Sequence, residues 1–366
     1  MTMKYKKTVL KIILLTLVII ACVAGVNYIV DPLWCFDKKF AFDENQIAFD
    51  ERQQKTNKIT FCPFEYDTLL LGSSRTTYIN QYNFKNMHVF NYAANSMRPD
   101  EYGKYIEYAK KINKKSFKRI ILGLDFFGTR HREFVRFNKP EYYIEKSNSL
   151  FYRYKSLLSK DTFIYSIKNI YKKYKKGNHD GYSRVTNIRN MYKPSIVEKK
   201  KNITEQICLY KDTVYGKTYQ YIPQHELFEQ IKKDNYDAQF LVFITPVSKI
   251  LLDIIVQQGR LEDYKRWIRD CVQIFGKIYN FMYLNEITGN MDNFKDVHHF
   301  YPEIGVLIAD RISNASRSDA PSFGILVTNN NLESHLMFLS TNLQPLDLSW
   351  RKKVDIHDLP WASCRR

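Results

Sequence analysis

The sequence predicts an α/β protein: a three-layer α/β/α sandwich around a mainly parallel sheet of five strands, preceded by an N-terminal transmembrane helix. Two observations lead to this prediction. Short apolar runs that suit buried strands alternate with stretches of helical periodicity, and one uncharged apolar run near the N-terminus is as long as a membrane span. A length of 366 residues and a hydrophobic content of 45% suffice for a buried core, which excludes a disordered chain.

The N-terminal apolar run predicts a membrane anchor over residues 8–30, after a short basic tail at 1–7. It lacks a small-residue cleavage site and is long for a signal peptide, which is the competing interpretation. The lysines that precede it favour a cytoplasmic N-terminus, so the rest of the chain is expected outside the cytoplasm. A loose lipidation pattern at residues 19–22 is less favoured, because the residues after Cys22 stay apolar.

Five strands are predicted after a polar covering segment at residues 36–60. Each is a compact apolar run bounded by turn residues or charges. In chain order the strands span residues 66–71, 88–92, 117–124, 237–244 and 278–284. Two shorter apolar runs, 323–327 and 337–339, are candidate strands within a C-terminal extension at 313–366, to which the sequence assigns no role.

Helical periodicity separates the predicted strands. Residues 99–112 open with a proline and an acidic pair, as a helix start does. Residues 261–275 place their apolar side chains near one face, and residues 304–312 form a short terminal helix. Alternating strands and helices predict one α/β domain over residues 31–312.

A basic segment at residues 151–202 interrupts this alternation and is interpreted as an insertion. It carries fourteen Lys and Arg against three Asp and Glu, or +11 of the formal net charge of +18. Such a segment suits a solvated surface, an anionic lipid or an anionic glycan. No nucleic-acid-binding motif accompanies it, so nucleic acid is not expected as a partner.

The six cysteines are too few and too scattered for a dense disulfide framework. Cys35 and Cys62 flank a polar segment and are the pair that an oxidising compartment would allow to bond. Cys208, Cys271 and Cys364 lack metal-ligand spacing, so no metal is expected.

Two motifs more than two hundred residues apart carry the chemistry. A Gly-Ser-Ser sequence at 72–74 follows the first strand, where a helix N-terminus favours developing negative charge. Near the end of the domain, Asp296 and His299 form an Asp-x-x-His pair. A serine needs a base to act as a nucleophile, and a histidine oriented by a carboxylate provides one. The order Ser, Asp, His therefore predicts a serine hydrolase.

These motifs resemble the SGNH, or GDSL-like, hydrolase superfamily, in its membrane-anchored bacterial branch related to polysaccharide O-acetylation and teichoic acid D-alanylation. The resemblance covers roughly residues 27–312. It implies a flavodoxin-like order for the five strands and no cofactor. The family's Gly-Asp-Ser block matches residues 72–74 and implies that Ser74 is the nucleophile. Its last block matches Asp296 and His299, and its spacing favours His299 over the neighbouring His298 as base.

The blocks that form the oxyanion hole depart from the family pattern. Ala93 stands where the family has the glycine whose N–H lines the hole, and Asp125 stands where it has the oxyanion asparagine. An ionised Asp125 would repel an oxyanion, so it is expected to be protonated, to point away or to bind a substrate hydroxyl. Asn95 is the alternative side-chain donor, and Arg75 is a candidate for binding an anionic substrate group.

The resemblance implies a serine esterase or acyltransferase at the bacterial cytoplasmic membrane, crossing it once, with the catalytic domain in the periplasm or outside the cell. It would act on acyl esters, first of all O-acetyl esters, of a cell-surface glycan through an acyl-Ser74 intermediate. A transferase would work beside a membrane-bound acyl exporter. The alternative is a catalytically impaired glycan-binding or assembly protein on the same scaffold, which Asp125 favours and the intact Ser74, Asp296 and His299 oppose.

Overall fold

The structure is a computed structural model that describes residues 3–131, 136–175, 179–313 and 323–343. The chain divides into two compact units. The first comprises Met1–Glu65, Lys111–Asn113 and Phe137–Tyr192, and the second comprises Tyr66–Lys110, Lys114–Arg136 and Lys193–Arg366. The predicted insertion at 151–202 thus falls partly in the first unit and partly in the second.

Eight strands occur in the described residues. In chain order they are β1 (Thr68–Gly72), β2 (Val89–Asn91), β3 (Arg119–Leu124), β4 (Gly181–Tyr182), β5 (Arg189–Asn190), β6 (Gln239–Ile244), β7 (Lys277–Asn280) and β8 (Ile325–Thr328). Strands β4 and β5 form an antiparallel pair in the first unit. The other six form one sheet in the second unit.

Fourteen α-helices occur in the same described residues. They are α1 (Met3–Val30), α2 (Glu51–Phe61), α3 (Ser74–Thr77), α4 (Pro99–Asn113), α5 (Pro140–Asn148), α6 (Tyr152–Lys155), α7 (Lys160–Tyr174), α8 (Ile196–Cys208), α9 (His225–Asp234), α10 (Lys249–Gln257), α11 (Leu261–Phe275), α12 (Glu286–Gly289), α13 (Pro302–Ser313) and α14 (Leu332–Asn342). Short 3₁₀ turns occur at Gln81–Asn83, Phe126–Thr129, Ser156–Leu158 and Met291–Asn293, and a π-helix follows α8 at Leu209–Val214.

The six-stranded sheet has the order β2-β1-β3-β6-β7-β8. The first five strands are parallel, and β8 pairs antiparallel with β7. The prediction of an α/β fold with a mainly parallel sheet is therefore confirmed, and all five predicted strands are present. The predicted count of five is not confirmed, because β8, from the C-terminal extension, adds a sixth strand. The chain runs outward from β1 to β2 and then returns to β3 on the other side of β1, so it reverses direction between β1 and β3.

The second candidate strand of the C-terminal extension was wrong, because residues 337–339 lie inside α14. The buried side chains of α14 include Leu332, Leu336 and Leu339, which stand at helical spacing. Three apolar residues are too few to distinguish a strand from a helix. The helical spacing of the buried leucines over the longer segment shows that it is a helix. The predictions for residues 314–322 and 344–366, including Cys364, lie outside the described residues.

Helices cover both faces of the large sheet. Leu70, Ile121 and Phe243 point from one face into a core that includes Ile304 and Ile308 of α13. On the opposite face, Phe240 of β6 packs against Phe275 of α11, with ring centroids 5.5 Å apart. Beyond β2, Tyr92 packs against Tyr105 of α4 at 4.8 Å. Strands buried on both faces need near-continuous apolar sequence, which is why the strand predictions succeeded.

Gly72 of β1 and Gly123 of β3, which are paired in neighbouring strands, let α3 approach the sheet closely. A Cβ at Gly72 or at Gly123 would lie 2.2 Å from Thr76 Oγ1, and at Gly123 it would also lie 2.8 Å from Phe243 Cζ.

We expect Gly123→Ala to lower the free energy of unfolding by about 1–3 kcal/mol, because the buried side chains must move. The matched control is Gly103→Ala in α4, where an added methyl meets nothing within 4 Å. It should raise stability by about 0.5–1 kcal/mol. Urea denaturation measures the free energy of unfolding of both variants. Equal losses of stability in Gly123→Ala and Gly103→Ala would contradict the expected difference.

His335 links the C-terminal extension to the sheet and predicts acid sensitivity. Its Nε2 lies 2.9 Å from Asn280 Nδ2, and burial lowers the pKa of His335 to about 4. The unfolded chain binds a proton near pH 6.5, so the stabilisation from neutral His335 is complete above that pH and is lost as the pH falls toward 4. We expect a loss of about 3 kcal/mol across this window.

Replacing His335 with glutamine should remove that part of the pH dependence, since an amide does not titrate there. The control is His131→Gln, at an exposed position. Denaturation curves between pH 4 and 7 compare the two variants, and unchanged acid sensitivity in His335→Gln would contradict the assignment.

The first unit begins with α1, whose segment Tyr5–Val30 contains an 18-residue stretch with a mean hydropathy of 2.8 and is apolar and long enough to cross a membrane. A signal sequence has the same properties.

The first unit also buries α2, which the sequence places in a polar covering segment. Its Gln53 and Asn57 bond to Ser147 of α5, so buried polar contacts replace the usual apolar stripe. Cys35 and Cys62, the pair considered for a disulfide, are both free thiols.

Candidate active site

The carboxyl end of β1 places Ser74 at the start of α3. Strand β1 is buried throughout, and the hydroxyl of Ser73, which caps α3, accepts a hydrogen bond from the Arg75 N–H at 3.3 Å. The chain reverses direction between β1 and β3, and in open α/β sheets ligands bind beyond the carboxyl ends of the strands at such a point. Ser74 lies at this point and is partly exposed.

A closed loop before α13 holds Asp296 and His299. The N–H of Lys295 donates to the His299 carbonyl at 2.9 Å, and the N–H of Tyr301 donates to the Asn293 carbonyl at 3.0 Å. The Ser248 hydroxyl, at the start of α10, donates to the Val297 carbonyl at 2.8 Å. These bonds fix the loop from both sides and set the direction of the histidine ring.

The structure brings Ser74, His299 and Asp296 into one hydrogen-bonded series. Ser74 Oγ lies 2.9 Å from His299 Nε2, and His299 Nδ1 lies 2.7 Å from Asp296 Oδ2. An ionised carboxylate only accepts hydrogen bonds, so we assign the ring proton to Nδ1. Nε2 then has its lone pair directed at the serine hydroxyl and can accept the Ser74 proton. This geometry suits nucleophilic catalysis by serine.

Asp296 is held in its ionised form. Burial alone would raise the pKa of this carboxyl, but the hydrogen bonds from the His299 ring and from the His298 N–H hold that pKa well below its usual range. Besides the ring of His299, Asp296 accepts the backbone N–H groups of His298 at 2.9 Å and of His299 at 2.8 Å. A carboxylate that stays charged can stabilise an imidazolium formed on His299.

His298, the competing candidate for the base, points elsewhere. Its ring packs edge-on against Tyr210 at 5.3 Å, and its Nδ1 lies 3.3 Å from Asp296 Oδ1 but makes no hydrogen bond. Burial, with smaller contributions from His299 and Arg75, lowers the pKa of His298 well below its usual value. His298 is therefore neutral, and its contact with Asp296 is not an ion pair.

Arg75 and Asp125 form an ion pair inside the second unit. Arg75 Nη1 lies 2.7 Å from Asp125 Oδ1, and the two side chains are 1% and 3% exposed. Thr245 Oγ1 also donates to Asp125, and Arg75 Nη2 donates to Tyr210 OH at 3.3 Å. Burial would lower the pKa of Arg75, but Asp125 raises it, so the guanidinium stays charged. Arg75 thus neutralises Asp125 and is not directed at a substrate in solvent.

The two other predicted oxyanion residues follow β2. The N–H of Ala94 donates to the Gly72 carbonyl at 3.1 Å, which places this segment beside the end of β1. The Ala93 N–H donates to Asn91 Oδ1 at 3.0 Å and is therefore already engaged. Asn95 is partly exposed and accepts a hydrogen bond from Ser96 Oγ at 3.1 Å.

One group of side chains in the described residues has the composition of a metal site. Donor atoms of Asp296, His298 and His299 lie within 4.8 Å of one another. An ion held by all three would displace the hydrogen bond between His299 Nδ1 and Asp296, because both atoms would be metal ligands. The hydrogen-bonded series and a metal centre are thus mutually exclusive uses of these residues.

Sequence reasoning missed Thr245 and Tyr210, which complete the polar cluster around Arg75 and Asp125. Thr245 directly follows β6, and a polar residue at the carboxyl end of a parallel strand is a signal that would have found it. Tyr210 lies in the π-helix, where no sequence pattern marks it. Burial raises the pKa of Tyr210 to about 12, so its hydroxyl stays protonated near neutral pH.

No protein-family model matches the chain, and no curated protein matches its sequence.

Proposed function

We propose that this chain is a membrane-anchored, extracytoplasmic serine esterase or acyltransferase of the SGNH type. Its substrates would be acyl esters, first of all O-acetyl esters, of a cell-surface glycan. One observation carries the proposal: the series Ser74 Oγ, His299 Nε2, His299 Nδ1 and Asp296 Oδ2, with contacts of 2.9 and 2.7 Å. The order of the five parallel strands, to which β8 is added, supports a flavodoxin-like assignment of the domain.

The proposed reaction has two halves. As Ser74 Oγ attacks the acyl carbonyl carbon, His299 Nε2 takes the hydroxyl proton and Asp296 stabilises the imidazolium. The tetrahedral intermediate then expels the sugar oxygen, which receives the proton from His299, and an acyl-Ser74 ester remains. In the second half His299 removes a proton from the acceptor, which attacks the acyl carbonyl carbon. The bond between that carbon and Ser74 Oγ then breaks, and His299 returns the proton to Ser74 Oγ.

The acceptor decides between the two activities. Water as acceptor gives an esterase, and a sugar hydroxyl gives an acyltransferase, which would work beside a membrane-bound acyl exporter. The proposed partners are the acylated glycan and, through residues 8–30, the lipid bilayer of a bacterial cytoplasmic membrane. The candidate span at Tyr5–Val30 supports this location, with the N-terminus in the cytoplasm.

A second candidate function is supported by the oxyanion residues. Asp125 is ion-paired with Arg75, and the Ala93 N–H is engaged by Asn91, so neither offers a donor to an oxyanion. Removal of one oxyanion donor lowers the rate of an acyl transfer by about 10²–10³. The same scaffold would then act as a glycan-binding or assembly protein with little or no catalysis.

Labelling with a fluorophosphonate separates the two functions without knowledge of the substrate. The full chain is treated in detergent, digested, and analysed by peptide mass spectrometry. The enzyme hypothesis expects modification at Ser74 in the wild type and none in His299→Ala. Absence of modification in a folded wild-type chain would favour the binding protein.

A further inference from the structure

Helix α7 in the first unit has the reverse of the usual amphipathic arrangement. A helix that packs on a protein normally buries its apolar side chains and exposes its polar ones. The buried side chains of α7 are polar: Thr162, Ser166 and Asn169. On its opposite side α7 exposes Ile164 (38%), Ile167 (45%), Tyr171 (56%) and Tyr174 (73%). An apolar face left open in this way indicates a partner that is itself apolar.

The buried polar side of α7 fixes it against the end of α1. Ser166 Oγ donates to Asn27 Oδ1 at 2.8 Å, and Asn27 Nδ2 donates to the Leu157 carbonyl at 2.8 Å. Asn27 is 1% exposed, whereas apolar residues earlier in α1, such as Leu15 at 62%, are largely exposed. α7 is thus attached where the bare apolar part of α1 ends.

Lysines are interspersed among the exposed apolar residues of α7. Lys160 and Lys168 are exposed, as is Lys175 just beyond the helix, whose ammonium lies 5.2 Å from the Tyr171 ring centroid. Residues 160, 164, 167, 168, 171, 174 and 175 recur at helical spacing and share one side. Between residues 151 and 175 the chain has seven Lys and Arg and one acidic residue, Asp161, which is also exposed.

We propose that this side of α7, the inverted face (Lys160, Ile164, Ile167, Lys168, Tyr171, Tyr174 and Lys175), lies in the headgroup region of an anionic lipid leaflet. Isoleucine and tyrosine side chains suit the boundary between acyl chains and headgroups, and lysines extend their ammonium groups to lipid phosphates. The leaflet is the one from which α1 emerges, because Ser166 and Asn27 hold the two helices together. The inference rests on α1 crossing the bilayer and is independent of the chemistry of Ser74.

Hydrogen–deuterium exchange of the full chain in lipid nanodiscs tests the inverted face. One set of discs contains only zwitterionic phosphatidylcholine, and the other contains about one third phosphatidylglycerol. Each lysine near an anionic surface strengthens binding about fivefold, so three give a factor of about 100. We expect amides of α7 to exchange at least about tenfold more slowly in the anionic discs. Amides of α11 in the second unit should exchange equally in both.

Charge-reversal variants provide the matched comparison. The combination K160E/K168E/K175E should abolish the slowing, whereas K217E/K233E/K277E, the same charge change at exposed positions of the second unit, should retain it. Unchanged exchange of α2 and α5 in the first unit, and of α11 in the second, shows that the variants are folded.

Three results would overturn the proposal. The first is equal exchange of α7 in the two kinds of disc, and the second is slowing that survives K160E/K168E/K175E. The third is protection already present in detergent that rises with protein concentration, which would mean that a second copy covers the face. Each is distinct from a failure of the proposed ester chemistry, which is read from labelling of Ser74.

Discussion

Replacing His299 with glutamine is expected to lower the rate of hydrolysis of an activated ester, such as p-nitrophenyl acetate, by about 10⁴–10⁶. Glutamine fills a similar volume but cannot take the proton of the Ser74 hydroxyl. In the wild type, Ser74 Oγ lies 2.9 Å from His299 Nε2. Ser74→Ala should cause a loss of the same size. Because both residues serve one proton transfer, the double variant should be no slower than either single one.

His298→Gln is the matched control, since this ring lies 3.8 Å from the His299 ring, whereas the hydrogen bond with Ser74 Oγ is made by His299. The rate of ester hydrolysis by His298→Gln should fall less than about tenfold, because His298 does not take the proton of Ser74. Equal losses in the two glutamine variants would show that the base is wrongly assigned. Steady-state rates, with unfolding curves to verify folding, give the comparison.

Arg75→Met is expected to lower the free energy of unfolding by about 3–5 kcal/mol, because it leaves the Asp125 carboxylate buried without its counter-charge. The double variant Arg75→Met/Asp125→Leu removes both charges and should recover most of that loss. A large residual loss in the double variant would mean that the packing of Arg75, rather than its charge, stabilises the fold.

The control for this pair is Arg269→Met. Arg269 contacts Glu333 at 3.2 Å, but the two side chains are 40% and 74% exposed. Solvent screens an exposed pair, so this variant should cost less than about 1 kcal/mol. Urea denaturation measures all three variants, and similar losses at Arg75 and Arg269 would contradict the role given to burial.

Much of the sheet could be predicted because its strands are buried on both faces. β3 and β6 need unbroken apolar runs, and such runs are visible in a single sequence. The same holds for α11, whose predicted and observed bounds agree because its apolar residues repeat every three or four positions. The carboxyl ends of parallel strands share one edge, so the position of Ser74 after β1 was also accessible from sequence.

The features that were missed depend on partners distant in sequence. β8 overlaps the candidate strand at residues 323–327, but its place at the edge of the sheet could not be predicted, because that place depends on pairing with β7. α2 lacks an apolar stripe, because its buried face is held by side-chain hydrogen bonds such as that from Gln53 to Ser147. The ion pair in which Arg75 neutralises the charge of Asp125 joins residues 50 positions apart, and neither residue type predicts that the other is its partner.

The contact between Ser74 and His299 also has a consequence in time. The two residues are 225 positions apart. At a synthesis rate of about 5–20 residues per second, the ribosome adds His299 about 10–45 s after Ser74. Under the proposed mechanism the serine has no base throughout that interval, and a chain that is cut short before residue 299 never acquires one. The proposed mechanism therefore predicts an inert serine in nascent and truncated chains, with reactivity confined to molecules whose synthesis has passed the last loop of the site.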